Sequence, residues 1–231
     1  MRYGCIGSGS DGNCHYLIND GGEILIIDAG LSIATIKKGI GFKVSNIVGV
    51  LISHEHLDHS KAKKDLENMG IPVYAPYEEK GIAYIDWGGY RIKAFSLPHD
   101  GTENYGFLIA CDGMKVLYLT DFEYCPYNFK ALRVDHILVE CNYMDEMVSE
   151  NAANFNHKVL GHASLTTCKD FVSANRTDAL KTVVLLHLGG ETSDPNTMMV
   201  EISKAARNSA FVDCARPGLK LDLTDKDWCP F

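Results

Sequence analysis

An apolar run over residues 47–52 leads through Ser53 directly into His54-Glu55-His56-Leu57-Asp58-His59. Five ionisable side chains within six positions cannot be buried in an apolar core without partners. They suit a tight turn at the end of a buried strand, where histidines at i and i+2 face one cation while Asp58 and His59 turn towards a second. Imidazole with carboxylate is a donor set for Zn²⁺, and a carboxylate-richer half also suits Mn²⁺. Whatever the chain folds into must therefore deliver further donors to this turn.

Each cation takes about three protein ligands plus solvent, so the motif alone is incomplete. His99 follows a predicted strand over 91–97, Asp121 one over 116–120, and His187 one over 182–186. Glu140 also closes a predicted strand, over 137–140. Ligand-bearing loops at the ends of several strands are how a rigid sheet assembles a site from distant sequence. A lone strand-end histidine is ordinarily satisfied or solvent-facing. With the cluster present and the order His, Asp, His kept, we assign His99, Asp121 and His187 to the metals. His15, His136 and His157 have no such setting and read as structural.

The remaining pattern is that of an α/β protein. Strand signals cover 3–6, 15–18 and 23–27, the last two joined by Asn19-Asp20-Gly21-Gly22, a turn in which glycine supplies the positive φ angles. Ser32 caps a short helix over 34–38, and further helices are expected over 61–69, 165–172 and 196–206. A strand over 105–111 meets 116–120 through Asp112-Gly113, and 219–223 closes an edge. With no repeat or long linker, the 231 residues are expected to form one domain, 1–231.

Twenty-two basic against 30 acidic residues give a formal charge of -8, which argues against unspecific nucleic-acid binding through a basic face. A nuclease stays open, because bound cations supply positive charge where the phosphate sits. No apolar run reaches 18 residues, so no membrane association is expected, and the opening MRYGCIGSGS lacks a secretory pattern. The eight cysteines contain no CxxC pair and read as reduced, mostly buried thiols, which makes a cytoplasmic location the expectation.

The order of these parts resembles the metallo-β-lactamase superfamily, and the resemblance implies a four-layer αβ/βα sandwich with two divalent metal ions, Zn²⁺ or Mn²⁺, at one edge. It implies that His54, His56 and His99 hold the first, that Asp58, His59 and His187 hold the second, and that Asp121 bridges them. Asp28, in IIDAG, would orient a ligand from behind. Having both Asp58 and Asp121 resembles the phosphodiesterase and nuclease branches, where Asp58 would orient or deprotonate the attacking water. Gly161-His162-Ala163-Ser164 is similar to a stretch in WalJ/YycJ-like proteins and, more loosely, in tRNase Z, making His162 the candidate general acid. Ser8-Gly9-Ser10-Asp11-Gly12-Asn13, Glu140-Cys141-Asn142-Tyr143 and HLGGETSD from His187 extend that likeness over residues 3–222. It implies a DNA exonuclease, and a homodimer is expected from these branches. The low basic content keeps a second reading open, a cyclic-nucleotide phosphodiesterase similar to the phage anti-Pycsar enzymes.

Overall fold

Alternate side chains of the central strands enter different apolar clusters, and this alternation sets the layers. In β3 (Ile24–Ile27), Leu25 and Ile27 join the cluster between two sheets, while Ile24 and Ile26 join a second one beneath helices. In β10 (His136–Glu140), Leu138 enters the inter-sheet cluster, and Ile137 and Val139 face a third. The computed structural model describes residues 1–79, 84–149, 151 and 153–224.

The first sheet runs β13 (Lys220–Asp222), β1 (Arg2–Gly7), β2 (Cys14–Ile18), β3, β4 (Ile47–Leu51), β5 (Val73–Tyr74). The second runs β12 (Phe211–Cys214), β11 (Thr182–Leu186), β10, β9 (Met114–Leu119), β8 (Thr102–Cys111), β7 (Tyr90–His99), β6 (Tyr84–Trp87). In each sheet a meander of antiparallel strands passes into a parallel half, β3–β4–β5 in one and β9 to β12 in the other. Helices α1 (Ile33–Gly39) and α3 (Lys63–Asn68) cover the outer face of the first sheet through Ile36 and Leu66. Helices α5 (Leu165–Asn175) and α6 (Pro195–Ala205) cover the second through Phe171, Val172, Met198 and Ile202. The result is the expected four-layer αβ/βα sandwich.

Ser32 caps α1 as expected, accepting a hydrogen bond from the Thr35 N–H, and β13 lies on the edge beside β1. The helix expected over 61–69 forms as α3, and a separate short helix, α2 (Leu57–Ser60), precedes it. The Ala62 N–H donates to the Ala29 carbonyl, which draws the chain towards β3 and interrupts the helical ladder. Strand β7 also runs two residues further than expected, so His99 is its last residue, followed by a turn at Asp100 and Gly101 with positive φ angles. Strands β5, β6 and β12 and helix α4 (Phe155–Gly161) had no sequence signal we recognised.

Leu138 is fully buried between the sheets. Leu138→Ala should cost about 2–5 kcal/mol in urea unfolding, through lost burial and the cavity left behind.

Candidate metal centre

The site forms where strands of both sheets end. Ser53 and His54 follow β4, His99 ends β7, Asp121 follows β9, Glu140 ends β10, and His187 follows β11. Turning out of a strand at once requires unusual backbone: Asp28, Asp121 and His187 all have positive φ, 59°, 50° and 48°. Such conformations are costly for residues other than glycine and persist where surrounding bonds fix them. Gly30 lets the motif turn pack closely, since a Cβ there would overlap the Asp58 carbonyl.

Three imidazoles meet first. His54 Nε2 lies 3.0 Å from His56 Nδ1, and His99 Nε2 lies 3.3 Å from the same atom. The far nitrogen of His99 donates to the Gly161 carbonyl at 2.7 Å, so its Nε2 presents a lone pair to the cluster. Ser53 Oγ sits 3.0 Å from His54 Nδ1. Burial, with His59 beside it, pushes His54 strongly down, and burial also lowers His99. Nitrogens converging from three rings leave a gap that a cation fits.

The second group is more acidic. His59 Nδ1 donates to Asp28 Oδ2 at 2.9 Å, which turns Nε2 towards Asp121 Oδ2 at 3.3 Å and Asp58 Oδ2 at 3.5 Å. Asp121 Oδ2 is 3.9 Å from His54 Nε2, and Asp121 Oδ1 takes a 2.5 Å hydrogen bond from His187 Nδ1. Asp121 thus stands between the groups, with Thr120 donating to it as well. Burial works to raise its carboxyl, but His187 and His59 hold it well below the ordinary range. Conversely, Asp121 and Asp28 overcome burial to raise His59. A site that draws protons this strongly suits metal cations, and the other His187 nitrogen is buried without a partner.

Asp28 lies behind His59, accepting also from the Ser53 N–H at 2.8 Å and the Tyr118 hydroxyl at 2.7 Å. His162 lies beside the clusters, its ring 5.1 Å from that of His187 and 5.9 Å from that of His99. Its Nδ1 is 2.7 Å from Glu140 Oε1. Burial alone would lower His162, yet the Glu140 carboxylate raises it to about 9. His15 and His136 are buried outside the donor groups and pushed by burial to about 3 and about 4. His157 is at the rim, paired with Asp100 at 2.9 Å and 5.5 Å from the His162 ring.

Two residues had no assigned role in the sequence. Glu140 is fully buried, and its second oxygen accepts from the Phe122 and Ala163 N–H groups. Its signal was the one used for His99 and His187, a polar residue closing an apolar strand. Asn13 is buried, and its amide lies 2.9 Å from His59 Nε2, a contact across 46 residues that only the fold brings together.

The chain belongs to the Metallo-beta-lactamase superfamily, whose family model matches residues 9–124. It is a hydrolase of that fold, and its His/Asp clusters are consistent with the two-metal site typical of it. It is 23% identical to Exodeoxyribonuclease YycJ of Bacillus anthracis, with 91% of each chain covered. It is 25% identical to Exodeoxyribonuclease WalJ of Streptococcus pneumoniae, over 84% of this chain and 83% of that one. The metallo-beta-lactamase fold protein YhfI of Bacillus subtilis superposes with a TM-score of 0.73 at 19% identity, covering 95% of this chain and 98% of its own.

In the metal-free protein, the raised His162 makes a signed prediction. Between its unfolded value of about 6.5 and about 9 the native state holds the extra proton, so this stabilisation is complete below the window and lost as pH rises through it. Chemical unfolding at pH 7 and pH 9.5 should show a larger fall for the wild type than for Glu140→Gln.

Proposed function

We propose that this protein is a two-metal phosphodiesterase that removes nucleotides from DNA, as its relatives, the exodeoxyribonucleases YycJ and WalJ, suggest. The observation that carries the reading is the buried Glu140–His162 pair beside the donor clusters. A departing nucleotide oxygen needs a proton, and here an imidazole that retains its proton above neutral pH stands beside where the phosphate would lie.

In this reading His54 Nε2, His56 Nδ1 and His99 Nε2 hold one cation, Asp58, His59 and His187 hold the other, and Asp121 serves both. Zn²⁺ and Mn²⁺ both suit the donors. Bound there, the pair supplies charge neutralisation for a phosphate and acidifies water near neutral pH. Asp58 orients the attacking water or takes its proton. Glu140 fixes the His162 ring through Nδ1, leaving Nε2–H to protonate the leaving oxygen. Asp28 keeps the His59 ring aimed from behind.

One observation favours the alternative of a cyclic-nucleotide substrate. A cavity of about 400 Å³ beside His99 is lined by Asp100, Glu103 and Glu123, an acidic rim that repels a long polyanion more than a mononucleotide. Location in the cytoplasm is supported by the seven described cysteines, all free thiols. Among the described residues no helix is long and apolar enough to cross a membrane.

Protein loaded with Mn²⁺ or Zn²⁺ should release nucleotides from 5′-phosphorylated duplex DNA and leave cyclic mononucleotides intact. Hydrolysis of cyclic mononucleotides with DNA untouched would replace the DNA reading with the alternative. His59→Ala should abolish turnover and lower bound metal while the circular dichroism spectrum is retained. His162→Ala should slow turnover about 10²–10⁴-fold with metal content near wild type.

A further inference from the structure

Helix α4 carries, one turn before His162, an ammonium in an unusual setting. Lys158 is half-buried, and its Nζ donates to Asn142 Oδ1 and to Thr192 Oγ1, each at 3.0 Å. It forms no ion pair with a carboxylate of the described residues. An ammonium has three N–H groups, and two neutral oxygens satisfy two of them. The Tyr143 ring lies 5.7 Å away. Taking a cation partly out of water is unfavourable unless a counter-charge compensates. Burial accordingly lowers the Lys158 ammonium, with Glu140 the acid that opposes the shift. The Glu140 oxygens are already committed to His162, Phe122 and Ala163.

The oxygens that hold Lys158 are wired to the site. Asn142 is buried, donates through Nδ2 to the His187 carbonyl, and accepts at its own carbonyl from the Gly189 N–H. The Thr192 carbonyl accepts from the Met144 N–H. Gly189 closes this cradle: a Cβ there would come within 2.8–2.9 Å of the Asn142 carbonyl, Asn142 Oδ1 and Thr192 Oγ1. The His162 N–H donates to the Lys158 carbonyl, so the ammonium and the proposed proton donor share one rigid helix end. Among the described residues this fixed cation has one N–H open, beside an otherwise acidic site.

We propose that Lys158 binds a phosphate oxygen of the substrate, either of the scissile phosphate or of the terminal one beside it. The assignment rests on the phosphodiesterase reading above. It makes Lys158 a binding group whose charge, rather than whose tethering of α4, is what the site uses.

The test is calorimetric binding of a short DNA duplex, with 5′-hydroxyl or 5′-phosphate ends, to Mn²⁺-loaded protein in the His162→Ala background, in which turnover is slowed about 10²–10⁴-fold. Lys158→Gln, which can keep hydrogen bonds to Asn142 and Thr192, should weaken binding about ten- to hundredfold. It should also flatten the salt dependence by about one counterion, while Lys158→Arg restores both. Loss on both oligonucleotides assigns the contact to the scissile phosphate, and loss confined to the 5′-phosphorylated one assigns it to the terminal phosphate. Unchanged affinity, or weakening with an unchanged salt slope, would overturn the role of Lys158 and leave the DNA reading standing. Failure of the Lys158-intact protein to bind either oligonucleotide would overturn the DNA reading and this assignment with it.

Discussion

The Asp28 carboxylate, wholly buried, accepts hydrogen bonds from the Ser53 N–H, the His59 ring and the Tyr118 hydroxyl. Two of these come from the motif after β4, and the third comes from β9 in the opposite sheet. One charged group therefore ties the ends of both sheets together at the place where the donors gather. A buried carboxylate with three donors is tolerable, while removing any one of them leaves a charge short of partners. The positive φ angles at Asp28, Asp121 and His187 fit this picture, because Asp121 and His187 hold each other and Asp28 is held by Ser53, His59 and Tyr118. The fold supplies the rigidity, and these bonds turn it into fixed ring orientations.

Charge divides the site into unlike halves. His54, His56 and His99 meet with no carboxylate among them, and burial keeps His54 and His99 neutral. His59 and His187 meet Asp121 and Glu140, and there the acids dominate. A nitrogen triad beside an acidic group is a sensible division between two cations that would share one carboxylate. His162 and Lys158 lie along the helix end flanking that arrangement, one tied to an acid and the other to neutral oxygens.

Much of this was legible in the sequence because it is carried by local pattern. The motif His54–His59 announces itself by density, and His99, Asp121 and His187 by standing after apolar runs. The layer structure follows from strands whose alternate residues are all apolar, as in Ile24–Ile27. What escaped notice is non-local. Glu140 had the same strand-end signature, but its partner His162 lies 22 residues on, behind a helix with no clear periodicity. Asn13 meets His59 across two sheet connections, and Lys158 looks like any helix lysine until Asn142 and Thr192 enclose it. The separate turn α2 was hidden for the same reason, since a backbone bond from Ala62 to Ala29 sets it apart from α3.

In the proposed site two unlike donor groups share Asp121 and together would hold two cations. Anomalous diffraction from crystals of Zn²⁺-loaded protein, recorded on both sides of the zinc edge, tests it most directly. Two peaks are predicted, one among His54, His56 and His99 and one beside Asp58, His59 and His187, with Asp121 between them. A single peak, or two peaks with Asp121 touching neither, would contradict the account.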